Sequence, residues 1–167
     1  MYNIYQLKAY ANKFLKDNYD MTLTVPLQLN GRMQRTCGWF KHTKYRDGRD
    51  VAKCIELNKF FVENNEPTVV LDVLRHELVH YVLFMQGKAY KDGNPVFERE
   101  LKRLGVVSQS TINQYTIESK PKNIQIYECA NCGTTYKRKR ALPNGGRNHR
   151  CSCKGQLIDK GKRLVTS

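Results

Sequence analysis

The chain has 167 residues and carries 29 Lys and Arg against 15 Asp and Glu, a formal net charge of +14. This length suits one domain, or one domain and a small module, and the positive charge favours a polyanionic partner such as nucleic acid. The N-terminus has no apolar core of signal-peptide type, and no stretch approaches about 18 consecutive apolar residues. We therefore expect a soluble cytoplasmic protein without membrane contacts, whose cysteines bind metal rather than form disulfides.

The first part of the chain predicts one helix followed by three strands. Apolar residues recur at helical spacing from Ile4 to Phe14, which indicates an amphipathic helix. Segments 21–30, 35–42 and 51–58 are rich in Thr, Val, Leu and aromatic residues, as strands are.

Two further helices are predicted between the strands and residue 118. Pro67 suits the first turn of a long helix over 68–85, which Gly87 ends. Pro95 and Gly105 bracket a shorter helix. This order of elements indicates an α+β domain.

The composition changes at about residue 119. Residues 119–167 hold 12 Lys or Arg and only Glu128 and Asp159 as acids, so this segment supplies +10 of the net charge. It has few large apolar residues and four of the six cysteines. Since such a segment cannot bury enough surface to fold unaided, we predict two domains, 1–118 and 119–167, the second held by a metal ion.

The long helix contains the sequence "HELVH". His76 and His80 lie four residues apart, so both project from one helix face and can bind one ion. Zinc bound by three protein ligands and a water is the expected site, with Glu77 as the general base. The alternative is a core helix whose two histidines are satisfied by hydrogen bonds. We favour zinc, because burying two histidines and a glutamate in so apolar a helix costs roughly several kcal/mol unless a metal compensates.

The third ligand of this site is left open by the residues themselves. The remaining histidines, His42 and His149, do not follow the helix closely, and Gln86 stands where a metzincin would need histidine. Asp92, in a turn, and Glu100, on the apolar side of the next helix, are the candidates. Their alternative roles are capping of that helix and a salt bridge, respectively.

The C-terminal cysteines have the arrangement of a zinc ribbon. Cys129 and Cys132 form one pair and Cys151 and Cys153 the other, which matches a four-thiolate structural site. The second pair is one residue short of the usual spacing, which leaves His149 as an alternative ligand.

Basic residues surround these cysteines and predict a surface for DNA, bound without sequence specificity. The predicted nucleic-acid-binding residues are Tyr136, Lys137, Arg138, Lys139, Arg140, Arg147 and Arg150. Tyr136 is expected to stack on a base. The alternative is a solvated face that keeps a small module soluble.

Several motifs in order resemble the SprT-like family, zincin proteins related to the Spartan proteases that degrade DNA–protein crosslinks. They are "CGWFKH", "CIELN", "HELVHY", "GKAYK" and a final "F-x-x-x-L-x-x-L-G", followed by the cysteine module. The resemblance implies a zincin-like minimal metalloprotease domain: an N-terminal helix, a small antiparallel or mixed sheet, the active-site helix and a following helix. A small zinc-ribbon β-hairpin module completes the chain.

The resemblance also implies the roles of residues. His76 and His80 become zinc ligands and Glu77 the catalytic glutamate, while the family's third histidine falls on Asp92, so a carboxylate stands where an imidazole is expected. The implied function is a zinc metallopeptidase acting on DNA-associated proteins, with one catalytic-type and one structural zinc ion. The alternative is a nucleic-acid-binding zinc protein whose zincin scaffold has little or no proteolytic activity.

Overall fold

A computed structural model describes residues 2–115 and 122–165. The chain divides into two units, Met1–Glu118 and Ser119–Ser167, each with helices or strands of its own. Within the described ranges, no helix has the length and apolar character needed to cross a membrane.

The first unit combines five helices with a three-stranded sheet over residues 2–115. Its elements are α1 (Ile4–Tyr19), β1 (Leu27–Asn30), β2 (Gly38–Lys44), β3 (Asp50–Asn58), α2 (Lys59–Asn64), α3 (Pro67–Met85), α4 (Pro95–Leu104) and α5 (Gln109–Ile112). The α+β class predicted from the sequence is confirmed.

The sheet of the first unit is mixed and has the order β1-β3-β2. β1 runs parallel to β3, and β2 runs antiparallel to it, so β2 lies at an edge among the described strands. Phe40, Ile55 and Leu57 point to the side of the sheet that packs on α3, and all three are buried. The apolar core therefore lies between this sheet face and α3, with α1 packed against the same cluster.

Two predicted strands differ from the observed ones. The strand expected over 21–30 begins only at Leu27. Both the amide and the hydroxyl of Thr24 form hydrogen bonds with the Tyr81 hydroxyl, so Thr24 does not pair with a neighbouring strand. Pro26 has no N–H to donate. The strand expected over 35–42 runs from Gly38 to Lys44.

The two predicted helices after the strands are confirmed. α3 has Pro67 at its first position, and Gly87 with φ of 65° follows its C-terminal end. α4 begins after Asn94, whose side chain accepts a hydrogen bond from the Val96 amide, and ends at Gly105 with φ of 62°. Both glycines adopt the left-handed conformation that commonly ends a helix.

The second unit is a small three-stranded antiparallel sheet of order β5-β4-β6. Its strands are β4 (Lys122–Cys129), β5 (Thr135–Arg138) and β6 (Leu157–Val165), with a 3₁₀ helix at Pro143–Gly146. The predicted hairpin corresponds to β4 and β5, and β6 adds a third strand. Its apolar cluster is small and includes two of the cysteines: Tyr127, Cys129, Leu142, Cys151 and Leu157.

Asn58, at the end of β3, holds two segments of the first unit in place. Its Oδ1 accepts hydrogen bonds from the amides of Phe60 and Phe61 at 3.0 and 3.2 Å and so caps α2. Its Nδ2 donates to the carbonyls of Met33 and Thr36 at 3.3 and 3.2 Å, in the loop before β2. The whole side chain is buried.

We expect Asn58→Ala to lower the free energy of unfolding by about 2–4 kcal/mol, because it removes a helix cap and leaves two carbonyls without their partner. Urea denaturation measures the loss. Asn3→Ala is the matched control, since Asn3 caps α1 in an exposed position and should cost only about 1 kcal/mol. Equal losses in the two variants would contradict the buried role of Asn58.

Candidate metal centre

Three side chains of the first unit direct one ligand atom each at a common point. His76 Nε2 lies 3.1 Å from Asp92 Oδ1 and 3.1 Å from His80 Nε2, and His80 Nε2 lies 3.5 Å from Asp92 Oδ1. A tetrahedral zinc ion with ligands at about 2.0–2.1 Å separates those ligands by roughly 3.4 Å. The three atoms therefore have the spacing of a metal site.

The orientation of both imidazoles is fixed from behind by backbone carbonyls. His76 Nδ1 donates to the Val107 carbonyl at 2.9 Å, and His80 Nδ1 donates to the Tyr90 carbonyl. In the neutral tautomers this leaves both Nε2 atoms as acceptors that face each other and a carboxylate oxygen. Such a cluster of lone pairs is unfavourable without a cation between them, which is the arrangement found around metal-bound histidines.

The ligand group is buried on the helix side and open on the side of Asp92. His76 is fully buried, and the ring of His80 stacks on Phe97 with centroids 4.1 Å apart. Burial alone would raise the pKa of the Asp92 carboxyl, but when the imidazoles of His76 and His80 are protonated their hydrogen bonds to it outweigh burial and hold that pKa well below its usual range. Asp92 is thus a carboxylate and available as a ligand.

The alternative roles of Asp92, as a helix cap, and of Glu100, in a salt bridge, can be compared with the geometry. Asp92 does not cap α4, since Asn94 has that position. Glu100 lies outside the ligand group: it accepts hydrogen bonds from the Tyr19 hydroxyl at 2.7 Å and from Arg103 at 2.7 Å. Glu100 has the structural salt bridge that was its alternative role.

Glu77 lies beside the ligand group without belonging to it. Its Oε2 accepts a hydrogen bond from the Phe40 amide of β2 at 2.7 Å, and burial raises the pKa of its carboxyl, although His80 and His76 oppose the rise. A Cβ atom at Gly38 would lie 2.8 Å from Glu77 Cγ, from Glu77 Oε1 and from Val73 Cγ1. Only glycine lets β2 approach α3 this closely.

These residues open into a cavity of about 560 Å³. The cavity is lined by Thr36, Gly38, Trp39, Phe40, His42, Glu77, His80, Tyr90, Lys91, Asp92 and Gln109. The size of the cavity and the combination of aromatic rings with ionisable side chains suit a small-molecule or peptide site.

The sequence did not predict that His42 and Tyr90 meet at this cavity. His42 Nδ1 donates to Asp50 Oδ1 at 2.7 Å, and His42 Nε2 accepts from the Tyr90 hydroxyl at 3.1 Å. His42 and Asp50 are brought together by the antiparallel pairing of β2 with β3, and Tyr90 comes from the loop after α3. A period-two pattern on β2 puts His42 on the face of Phe40, which is the signal that could have found it.

The four cysteines of the second unit form a separate ligand group. Their Sγ atoms lie within 4.8 Å of one another, with Cys129–Cys153 at 3.4 Å and Cys132–Cys151 at 3.5 Å. A zinc–thiolate tetrahedron with bonds of about 2.3 Å separates its sulfurs by roughly 3.8 Å, close to these values. All are free thiols, and His149 lies outside the group.

The short second pair of cysteines is accommodated by its backbone. Lys154 has φ of 66° and donates its amide to the Cys151 carbonyl at 2.8 Å. Gly133, with φ of 69°, has the corresponding position after the first pair, in a turn one residue longer, and donates to the Cys129 carbonyl at 3.0 Å. A lysine thus adopts the conformation that favours glycine, at a cost of about 1 kcal/mol.

The basic residues predicted to bind nucleic acid are placed around this second site. Lys137 to Arg140, Arg147 and Arg150 are all exposed. Tyr136 is partly buried against the apolar cluster, and its hydroxyl donates to Cys151 Sγ at 2.9 Å, which lowers the pKa of that thiol to about 5. Tyr136 therefore contacts the cysteine site, and its stacking on a base stays a prediction.

The fold and the two ligand groups define an α+β protein with a histidine–aspartate metal-type site and a cysteine cluster. The SprT-like family model matches residues 4–120, and the chain belongs to the SprT-like family.

Proteins called "Protein SprT-like" are similar over most of the chain. The relative from Streptococcus pyogenes serotype M6 is 30% identical over 126 residues, which cover 74% of this chain and 83% of that protein. The relative from Oceanobacillus iheyensis is 32% identical over 130 residues, 77% of each chain. The relative from Bacillus velezensis is 32% identical over 140 residues, 82% of this chain and 92% of that protein. No solved structure matches the chain significantly.

We expect Gly38→Ala to destabilise the protein by about 1–3 kcal/mol, because the new methyl group collides with Glu77 and Val73. The same substitution in a Glu77→Ala background should cost less, since two of the three colliding atoms are gone. Urea denaturation of the four proteins gives this double-mutant cycle. An equal cost in both backgrounds would show that Glu77 does not require glycine at this position.

Proposed function

We propose that this protein is a zinc-dependent peptidase that acts on proteins associated with DNA. The observation that carries the proposal is the convergence of two histidine nitrogens and one carboxylate oxygen beside a buried glutamate, at the wall of an open cavity. Its membership of the SprT-like family supports the same class of activity.

His76, His80 and Asp92 would hold the ion, because their ligand atoms have suitable identity, spacing and orientation for zinc. A zinc ion bound there would polarise a peptide carbonyl and lower the pKa of a bound water. Asp92 brings a negative charge where a histidine would be neutral, so we expect a less acidic water than in a three-histidine site.

Glu77 would accept the proton of the attacking water and pass it to the leaving amine. The Phe40 amide holds Glu77 Oε2, which fixes the carboxylate in one orientation. Burial raises the pKa of the Glu77 carboxyl, which makes its carboxylate a stronger base, as a proton acceptor requires. β2 lies at the edge of the sheet among the described strands and borders the cavity, so an extended peptide could add there as a further strand.

The second unit would hold the protein on DNA. Four thiolates on one zinc ion can fix its three strands, and the exposed charges from Lys137 to Arg140 lie on β5 and the loop after it. These residues, with His149, line a cavity of about 620 Å³ that suits contact with phosphates.

A second candidate function is DNA binding without proteolysis. The observation that favours it is Asp92, a carboxylate with a side chain 44% exposed in place of the expected histidine. A solvated, anionic third ligand weakens the activation of water, and the same fold would then act as a scaffold.

Glu77→Gln separates the two candidates. If the protein is a peptidase, we expect cleavage of a basic protein crosslinked to an oligonucleotide to fall at least about 100-fold, because the proton acceptor is lost. Glu63→Gln, an exposed residue paired with Lys59, is the control and should cleave like wild type.

Metal content must stay unchanged in Glu77→Gln, because Glu77 is not a ligand. No cleavage by wild type with full metal content, with or without DNA, would contradict the peptidase proposal and favour the scaffold.

A further inference from the structure

The positive charge of the first unit is concentrated in one segment. Residues 1–118 hold 17 Lys or Arg and 13 Asp or Glu, a net charge of +4. Residues 31–53, which cover the loop before β2 and the β2–β3 hairpin, hold seven Lys or Arg against Asp47 and Asp50, a net charge of +5. The rest of the first unit is therefore close to neutral, and its electrostatic attraction for anions comes from this hairpin.

Two aromatic rings are exposed on the same hairpin. Trp39 on β2 is 57% exposed, and Tyr45 at the turn is 39% exposed. Lys41 Nζ lies 4.9 Å from the centre of the Trp39 ring, and the side chains of Arg49 and Lys53 lie 5.3 and 5.5 Å from the Tyr45 ring. Each ring is thus bordered by cations.

The two rings are placed on one side of the hairpin by the alternation of β2. Phe40 and His42 face α3, so Trp39, Lys41 and Tyr45 alternate to the outer face. Tyr45 follows the last residue of β2 and lies six residues after Trp39, so the two rings are separated by about 20 Å, a distance that an extended chain can span.

Much of this charge is available to a ligand. Glu56 is the acid of the outer face, and it is buried and neutralised by Lys41 Nζ at 2.9 Å with hydrogen bonds from Gln28 and Asn30. Within residues 2–115 and 122–165, the exposed cations Arg32, Arg35, Lys44 and Arg46 make no ion pair.

We propose that the outer face of the β2–β3 hairpin binds single-stranded nucleic acid, with bases stacked on Trp39 and Tyr45 and phosphates held by the neighbouring cations. Alternating aromatic and basic side chains along an exposed surface are how proteins bind single strands without sequence preference. A double strand does not present its base faces, so it would use the charges alone. An acidic polypeptide also would use the charges and leave the rings without a partner.

This surface adjoins the candidate metal centre, because Trp39 also lines the cavity of Glu77 and Asp92. A nucleic-acid strand bound on the hairpin would run past the mouth of that cavity. The surface requires neither the zinc ion nor the cysteine module, so it extends the proposed function without depending on it.

The chain offers a direct readout, because Trp39 is its only tryptophan. Titration of the full-length protein with oligothymidylate should quench tryptophan fluorescence as the base stacks on Trp39, in parallel with the anisotropy of a labelled oligonucleotide. The same quenching should persist when Lys137, Arg138, Lys139 and Arg140 are changed to Gln, because it reports only on the hairpin. Duplex DNA and heparin are the controls for charge and should quench little.

Variants test the energetic contribution of each ring. Trp39→Ala and Tyr45→Ala should each weaken binding of the oligonucleotide by about 5- to 100-fold in the Gln-substituted background. Tyr5→Ala is the matched control, since Tyr5 is 79% exposed on α1 and should change nothing.

Three results would overturn the proposal: binding that saturates with no change in Trp39 fluorescence, wild-type affinity in both ring variants, or equal quenching by heparin or polyglutamate. A lack of peptidase activity would leave the proposal intact, because no cleavage is involved in the readout. Failure of the fluorescence test would equally leave the peptidase proposal standing.

Discussion

The contact between β2 and α3 is the constraint on which the rest of the first unit depends. The amide of Phe40 donates to Glu77 Oε2 at 2.7 Å, and the strand reaches the helix only because Gly38 has no side chain to interpose. This one contact gives a buried carboxylate a partner, fixes its direction, and brings the edge of the sheet to the helix that carries both histidines. A buried carboxylate without such a donor would cost several kcal/mol, on the order of the whole stability margin of a domain.

The two histidines of α3 are hydrogen-bonded by the segments that follow it. The backbone carbonyls of Tyr90 and Val107 accept from the two Nδ1 atoms, and Asp92, between them in sequence, supplies the third candidate ligand atom. The loop after α3 and the segment after α4 thereby determine the tautomer of both imidazoles. The centre is preorganised by backbone groups, so its geometry depends on the course of the chain more than on further side chains.

The sequence predicted the elements that follow simple periodic or capping rules. α3 and α4 lie where Pro67, Pro95 and Gly105 indicated, and His76 and His80 share one helix face as their spacing required, whereas the residues alone left the third ligand open between Asp92 and Glu100. Backbone acceptors such as the Val107 carbonyl have no signature in side-chain chemistry, so they could not be predicted. The alternation along β2 gives the face on which His42 lies, but its contact with Asp50 depends on strand pairing and could not be predicted.

Other differences have equally local causes. The first strand was predicted too long because Thr-rich residues suit both a strand and an irregular segment that bonds to Tyr81. Lys154 was not expected to replace glycine in the turn after Cys153, since the tertiary arrangement of the four sulfurs overrides its local preference. The sequence around Trp39 did not by itself predict a binding surface. Its exposed ring suggests one only together with the cations that the hairpin places around it.

We propose that two separate groups of side chains bind zinc, one of histidines and Asp92 and one of cysteines. The most direct test of this proposal is the zinc content of the purified full-length protein beside that of a His76→Ala, His80→Ala double variant. We predict two zinc ions per chain in the wild-type protein and one in the double variant, with the cysteine site retained. One ion in both proteins would contradict it, because the histidine site would then not bind zinc and the peptidase proposal would have no metal to act through.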